Sequence, residues 1–154
     1  MAAQLTDGSI MLNMRDNRNK NNKQENGRRV CTTSDLGNTW TEHASSRKAL
    51  IEPTCMGSLH KHTYMAKGEP KNVLLFSNPN SRIRRDKITV KASFDDGLTW
   101  PSKNRIMLDE YRGWGYSCLT SVDQKTIGIL YESSQADMVF QQIDIKELIH
   151  KKQK

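Results

Sequence analysis

TSDLGNTW (Thr33–Trp40) and SFDDGLTW (Ser93–Trp100) are two copies of one pattern, (S/T)-x-D-x-G-x-T-W, whose aspartates Asp35 and Asp95 are 60 residues apart. Each position that the two copies share has a physical role in a tight turn. The carboxylate can accept hydrogen bonds from the backbone of its own turn, and the glycine supplies a positive φ. The tryptophan can fold back as an apolar plug. The repeat therefore predicts two self-locking hairpin turns.

Short strands surround both turns. They are rich in Val, Ile, Leu and Thr and are bounded by Gly, Asn, Asp or Pro, as in an all-β domain. The predicted strands are Ser9–Met14, Arg29–Thr33, Cys55–His62, Asn72–Ser77, Lys87–Phe94, Arg105–Leu108, Gly115–Val122, Thr126–Tyr131 and Met138–Ile145. The polar stretch Asp16–Gly27 is predicted to be an exposed loop, and Ile145–His150 a short helix. This spacing of strands indicates a sandwich, a barrel or a propeller.

Composition narrows the class of function. The net charge of +7 attracts anions, either nucleic acid or a small anionic substrate. The basic residues are mostly scattered and no recognition motif accompanies them, so nucleic-acid binding is not predicted. No apolar run approaches the ~20 residues of a membrane helix. Because only 35% of the residues are hydrophobic, a large self-sufficient core is not expected.

No metal site and no cofactor are predicted. The sequence has no CxxC pair and no histidine at ligand spacing from a cysteine or carboxylate. The histidines considered are predicted to be ordinary loop or strand residues: His43, His60 and His62. The three cysteines are predicted to be plain buried thiols: Cys31, Cys55 and Cys118.

The repeated turn resembles the Asp-box of β-propeller blades, and four further segments resemble the sialidase (neuraminidase) family in their order and approximate spacing. They are Ile10–Arg15 (IMLNMR), Phe76–Pro79 (FSNP) followed by Arg85, Gly115–Leu119 (GYSCL) and Gly128–Glu132 (GILYE). The resemblance covers nearly the whole chain. It implies a six-bladed β-propeller of which residues 1–154 form the C-terminal part, roughly the last half.

The resemblance also implies an activity, the retaining exo-hydrolysis of terminal sialic acids from sialylated glycans, with Tyr116 as the nucleophile. Sialic acid carries a carboxylate on its anomeric carbon, so a carboxylate nucleophile would approach against charge repulsion. A neutral phenol avoids that repulsion, and tyrosine-nucleophile sialidases are a known exception among retaining glycosidases. A tyrosine pKa near ~10 requires a neighbouring base at neutral pH.

By the same resemblance, Arg15 and Arg85 match two of the three arginines that bind the substrate carboxylate, a task suited to a bidentate, always-charged guanidinium. Arg84 is the alternative if the alignment slips by one residue. Glu132 matches the glutamate that orients the first arginine of the family. The remaining arginines considered are expected to be solvated surface residues: Arg18, Arg28, Arg29 and Arg82.

Three family residues have no counterpart in the chain: the first arginine, the aspartate acid/base and the glutamate that activates the tyrosine. The fragment is therefore expected to be inactive alone, with the N-terminal blades of the same propeller as its partner. The family is compatible with a secreted, periplasmic or lysosomal location. The alternative hypothesis is a non-catalytic Asp-box propeller that binds a protein or a glycan.

Overall fold

The computed structural model describes residues 1–17 and 21–149. The described residues form eleven strands, one short α-helix and two 3-10 turns. The strands are β1 (Ala2–Gln4), β2 (Ile10–Met14), β3 (Arg29–Thr33), β4 (Thr41–Glu42), β5 (Ser58–Ala66), β6 (Glu69–Pro79), β7 (Ile88–Ser93), β8 (Arg105–Asp109), β9 (Ser117–Ser121), β10 (Thr126–Tyr131) and β11 (Val139–Asp144). The α-helix is α1 (Lys146–Ile149), and the 3-10 turns are Lys23–Glu25 and Ser102–Asn104.

The strands form three antiparallel sheets, each a simple meander: β1-β2-β3-β4, β5-β6-β7-β8 and β9-β10-β11. We refer to them as the first, second and third sheets. Radially arranged meanders of about four strands are the blades of a β-propeller. The prediction of an all-β, propeller-type architecture is therefore confirmed. Among the described residues, no helix is long and apolar enough to span a membrane.

Two apolar clusters lie between neighbouring sheets. The cluster between the first and second sheets includes Met11, Val30, Leu74 and Phe76, all nearly inaccessible to solvent. The cluster between the second and third sheets is built from the following residues, among others: Val73, Leu75, Val90, Leu119, Ile127 and Ile129. The central strands β6 and β7 of the second sheet thus bury side chains on both faces, which accounts for the uninterrupted burial along β7. The second sheet is the packed centre of the chain.

Most predicted strands are present within a few residues of their expected bounds, but two strands were missed. Strand β1 has little apolar alternation, and β4 has two residues, both exposed. Such short edge strands carry almost no periodic signal. The predicted helix is observed as Lys146–Ile149, and His150 lies outside the described residues.

Two predictions about burial were wrong. The stretch Asp16–Gly27 is not uniformly exposed, because Asp16 and Asn26 at its two ends are buried and hydrogen-bonded to other loops. Cys31 and Cys55 are buried as expected, but Cys118 is exposed. It is paired opposite Leu130 on the outward face of the third sheet, whereas its neighbours Ser117 and Leu119 point inward.

The two turns predicted from the repeat have the same hydrogen bonds. In the first, the Asp35 carboxylate accepts the backbone N–H of Thr39 at 2.8 Å and the hydroxyls of Thr33 and Thr39 at 2.7 Å each. In the second, Asp95 accepts the backbone N–H of Thr99 at 2.9 Å, with the hydroxyls of Ser93 and Thr99 in the same roles. Each turn connects the third strand of its sheet to the fourth. The self-locking mechanism is therefore observed in both copies.

The glycine of each turn is required by its backbone conformation. Gly37 and Gly97 have φ values of 96° and 82°, a region that residues with a Cβ rarely occupy. The two tryptophans differ, however. Trp100 is 5% exposed and packs edge-on against Phe76 between two sheets. Trp40 is 45% exposed, so the prediction of a buried plug was wrong there, because no sheet of the described residues lies beyond the first sheet to cover it.

The first turn gives a pH-dependent prediction. Hydrogen bonds, chiefly from the backbone and hydroxyl of Thr39, hold the pKa of Asp35 at about 2. The unfolded-state pKa of an aspartate is near ~3.9. Because the folded-state pKa is the lower one, the stabilisation is complete above about pH 4 and is lost as the pH falls toward about 2. We expect Asp35→Asn to lower the melting temperature at pH 6 but not near pH 2; an equal difference at both pH values would contradict this mechanism.

Candidate active site

One end of the sheets collects all four residues predicted for the site. Arg15 directly follows β2, Arg85 lies in the loop between β6 and β7, Tyr116 directly precedes β9, and Glu132 directly follows β10. A hydrogen bond of 2.7 Å between the hydroxyls of Ser77 and Ser117 aligns the second and third sheets at this end.

The Asp-boxes lie at the opposite end of the sheets. There, the backbone N–H and the hydroxyl of Thr6, in the turn between β1 and β2, donate to the Asp96 carboxylate of the second Asp-box. This contact joins the first and second sheets away from the candidate site. The repeat is thus an architectural feature, and the candidate site is built from the loops at the other end.

Tyr116 and Glu132 are joined by two hydrogen bonds. The backbone N–H of Tyr116 donates to Oε2 of Glu132 at 2.9 Å, and the backbone N–H of Glu132 donates to the carbonyl of Tyr116 at 3.0 Å. The carboxylate of Glu132 therefore fixes the backbone of Tyr116, a contact that sequence reasoning missed. The Tyr116 side chain is 38% exposed, and no hydrogen bond joins its hydroxyl to any carboxylate of the described residues.

Arg85 covers the ring of Tyr116. Its guanidinium carbon lies 5.6 Å from the ring centroid, within the range of a cation–π contact. The guanidinium also donates to the carbonyl of Trp114 at 3.2 Å, and the Arg85 carbonyl accepts the N–H of Gly113 at 3.0 Å. Of the two adjacent arginines considered from the sequence, Arg85 and not Arg84 is the one against the tyrosine.

Gly115 permits this close arrangement. It has φ of +88°, and a Cβ at this position would lie 2.8 Å from Pro79 Cγ and 3.3 Å from both Cys55 Sγ and Arg85 Cβ. The glycine before Tyr116 is therefore needed both for its conformation and for the space it leaves.

Gly115→Ala should destabilise the 154-residue chain more than Gly68→Ala does. Gly68 has nearly the same φ, +83°, but no atom within 4 Å of an added Cβ. Both variants incur the left-handed strain of about 1–2 kcal/mol, and only Gly115→Ala adds the collision with Pro79. Denaturant unfolding measures the difference in the free energy of unfolding. Equal losses in the free energy of unfolding would mean that the loop shifts to accommodate the added methyl group, and that Gly115 is needed only for its backbone conformation.

A buried ion pair lies beneath this loop. Arg28 and Glu52 are 1% and 0% exposed, and Nη1 of Arg28 lies 2.7 Å from Oε2 of Glu52. Arg28 Nε also donates to Oδ1 of Asn13 at 2.7 Å, and Nη1 donates to the carbonyl of Cys55 at 2.6 Å. The Cys55 thiol in turn contacts the Gly115 carbonyl at 3.5 Å. The expectation that Arg28 is a solvated surface arginine was wrong.

Electrostatics of the pair follow from its burial. Burial raises the pKa of Glu52, and the charge of Arg28 opposes that rise. Besides Arg28, Glu52 accepts the backbone N–H of Asp16 at 2.7 Å through its second oxygen. The pair thereby fixes the chain immediately after Arg15. Arg29, the next residue, is exposed. The two adjacent arginines look alike in the sequence, and nothing in it distinguished the buried one.

Arg15 extends from this buried network to the surface. It is exposed, and its charge is close enough to lower the pKa of Arg28, whose largest perturbation is burial. Among the described residues, no carboxylate pairs with Arg15. The carbonyl of Cys55 and its thiol join Arg28 to Gly115, the residue before Tyr116.

A second buried cation supports the loop that carries Arg85. Lys91 is 1% exposed, and its Nζ donates to Oδ1 of Asn78 at 2.5 Å, while Asn78 donates to the carbonyl of Ile51 at 2.9 Å. Lys91 also lies 5.6 Å from the centroid of Phe76. Burial holds the pKa of Lys91 well below its usual value. Sequence reasoning missed this lysine because a single charge on a strand gives no sign of its burial.

The described residues contain no cluster of histidine, cysteine or acidic side chains that could hold a metal ion. The histidines have hydrogen-bonding partners instead. His60 Nε2 and His62 Nδ1 each lie 2.8 Å from the hydroxyl of Ser121, and His43 Nδ1 lies 2.8 Å from the hydroxyl of Ser45. These side chains are part of the strands and turns, away from Tyr116 in sequence.

Comparison with known proteins places the chain among the sialidases. No protein-family model matches it. A curated sialidase of Bacteroides fragilis is 49% identical over 147 residues, which are 96% of this chain and 26% of the relative. A curated sialidase of Micromonospora viridifaciens is 32% identical over 131 residues, or 84% of this chain and 19% of the relative.

The solved structures agree with the sequence comparison. The structure of the Hadza microbial sialidase Hz136 matches with a TM-score of 0.84 and 48% identity, over 96% of this chain and 27% of that chain. The chain therefore spans about a quarter of the length of the first relatives it matches. By sequence and by fold, the chain belongs to the sialidase family.

Proposed function

We propose that the chain forms the tyrosine-bearing part of an exo-α-sialidase that releases terminal sialic acids with retention of configuration. The observation that carries the proposal is the arrangement at Tyr116: a partly exposed phenol ring, with its backbone fixed by Glu132 and its face covered by Arg85. The family membership supports the reaction class. Sialylated glycans are the proposed substrates.

In the proposed reaction, Arg15 and Arg85 bind the carboxylate of sialic acid through charge-assisted hydrogen bonds. The phenolic oxygen of Tyr116 attacks the anomeric carbon while the glycosidic C–O bond breaks and the leaving oxygen takes a proton from a general acid. Water then displaces the tyrosine, which restores the original configuration. Two inversions at one carbon give net retention.

The proton acceptor for Tyr116 is proposed to come from another part of the propeller. No carboxylate of the described residues is hydrogen-bonded to the Tyr116 hydroxyl, and the Oε2 atom of Glu132 already accepts the backbone N–H of the tyrosine. A phenol needs an adjacent general base to become an effective nucleophile. The 154-residue chain alone should therefore be inactive.

A complementation experiment tests this proposal. The 147 matching residues of the Bacteroides fragilis sialidase are replaced by this chain, and the resulting completed enzyme and the isolated chain are assayed with a fluorogenic sialoside. We expect turnover only by the completed enzyme. Substantial turnover by the isolated chain would refute the assignment of roles. A folded but inactive completed enzyme would favour a non-catalytic propeller that binds a protein or a glycan.

A further inference from the structure

A basic groove of about 860 Å³ adjoins the candidate active site. Its lining comes from three loops that carry Arg84 and Arg85, Arg112 to Trp114, and Ser133 to Asp137, together with Lys23 and Pro53. Of the four candidate site residues, only Arg85 lines it. The groove is thus contiguous with the site and distinct from it, and its volume falls within the ~300–1,000 Å³ typical of ligand pockets.

Charge in the groove is strongly unbalanced. Lys23, Arg84, Arg85 and Arg112 line it, against the single carboxylate of Asp137. Among the described residues, no carboxylate forms an ion pair with Arg84, Arg85 or Arg112. Unpaired guanidinium groups that line a concave surface attract anions, and the low-dielectric walls strengthen that attraction.

Asp109, outside the lining, anchors the loop that carries Ser134. The Asp109 carboxylate accepts the N–H and the hydroxyl of Ser134 at 2.7 and 2.9 Å, and the N–H of Tyr111 at 2.9 Å. These bonds shape the loop that forms one wall of the groove. Ser133, in the same wall, bonds the backbone of Gln135 and Ala136 through its hydroxyl.

The same wall fixes the position of Trp114. Gly113 packs so closely on it that an added Cβ would lie 2.9 Å from the carbonyl oxygen of Ser133. Trp114 is 70% exposed in the groove, two residues before Tyr116, and its carbonyl is bonded to Arg85. An exposed indole face beside unpaired guanidinium groups suits a sugar ring that carries a negative charge.

We infer that this groove binds the sugar on the leaving-group side of the scissile bond, and that it selects glycans in which that sugar is itself acidic. This inference rests on the proposed function, because it places a second acidic sugar beside the sialic acid held at Arg85. An α2,8-linked disialyl group provides a carboxylate there, and a sulfated sugar provides a sulfate. Both present the same chemistry to Arg84 and Arg112.

The test compares three substrates in the completed enzyme: α2,8-disialyllactose, a sialyllactose sulfated on its galactose, and plain α2,3-sialyllactose. The variant is Arg84→Ala/Arg112→Ala. The charge-matched control is Lys71→Ala/Lys103→Ala, two exposed lysines outside the groove. Loss of two charged hydrogen bonds should lower kcat/KM for the preferred acidic substrate by about a hundredfold or more. We expect less than about a twofold change with plain sialyllactose, because its leaving-group sugar carries no anion for Arg84 or Arg112 to bind. A loss of electrostatic steering would instead lower kcat/KM for all three substrates.

The two acidic substrates identify the source of the anion, because the one that loses most in the variant is the one the groove binds. Equal losses with all three substrates, or losses as large in the lysine control, would overturn the inference and leave the proposed function intact. Absence of turnover with every substrate would instead count against the proposed function.

If no substrate is turned over, binding in the groove is tested directly on the 154-residue chain. Titration with α2,8-linked disialic acid should change the fluorescence of Trp114, identified by comparison with Trp114→Phe, and lactose should not. Absence of a response would overturn the inference.

Discussion

Tyr116→Phe in the completed enzyme is expected to lower kcat by about a thousandfold or more, as removal of a nucleophile does in other covalent enzymes. The change deletes only the hydroxyl oxygen. The ring remains beneath Arg85, and the backbone remains bonded to Glu132. Substrate binding should therefore change little, and the loss should be in kcat rather than KM. Steady-state kinetics with a fluorogenic sialoside measure both constants.

Tyr111→Phe is the matched control for this prediction. Tyr111 is also exposed, lies five positions earlier in the chain and should be dispensable for the reaction. Its variant is expected to keep kcat within about twofold, since surface substitutions away from a site have small effects. An unchanged kcat for Tyr116→Phe would remove Tyr116 as the nucleophile. Equal losses for both variants would indicate a general disturbance of the loop.

Arg28→Met should destabilise the chain by about 3–5 kcal/mol, because it leaves the buried Glu52 carboxylate without its partner. The losses of the Asn13 and Cys55 hydrogen bonds act in the same direction. A free energy of this size is a large fraction of the stability of an ordinary domain. Denaturant unfolding of the 154-residue chain, followed by tryptophan fluorescence, measures it.

The double variant Arg28→Met/Glu52→Leu separates the cost of an unpaired charge from the value of the pair. Replacement of both partners by apolar side chains of similar size is often neutral or stabilising, so much of the loss should be recovered. Failure of the double variant to recover would mean that the hydrogen bonds from Arg28 to Asn13 and Cys55 carry the stability. A loss below about 1 kcal/mol for Arg28→Met, the size of an exposed pair, would contradict the burial of the charges.

Local signals in the sequence located most strands, and the Asp-box repeat with the resemblance to the sialidases indicated the propeller. The two Asp-boxes lock hairpins through contacts within eight residues, and runs of Val, Ile, Leu and Thr between turn residues located most strands. The same reasoning failed where a residue's environment depends on another sheet. Trp40 and Trp100 occupy the same position of the same motif, yet only Trp100 lies between two sheets.

The candidate site could likewise be predicted only in part from the sequence. The motifs predicted Arg15, Arg85 and Tyr116, and the structure places Arg85 against Tyr116. The supporting residues could not be predicted, because their partners are distant in sequence. Arg28 is 24 residues from Glu52, and Lys91 is 13 residues from Asn78. Only the folded chain shows that these charges are buried, and that Glu132 holds the backbone of the tyrosine.

The most direct test of Tyr116 as the nucleophile is covalent labelling of the completed enzyme. The reagent is a sialic acid that carries one fluorine on the anomeric carbon and another on the adjacent carbon. The anomeric fluorine leaves as fluoride when the nucleophile attacks. The remaining fluorine withdraws electrons and so slows breakdown of the glycosyl-enzyme. Mass spectrometry of the digested protein then locates the label. The proposed mechanism predicts one fluorosialyl group, on the oxygen of Tyr116, and none in Tyr116→Phe. A label on an aspartate or glutamate, or an active enzyme that is never labelled, would contradict it.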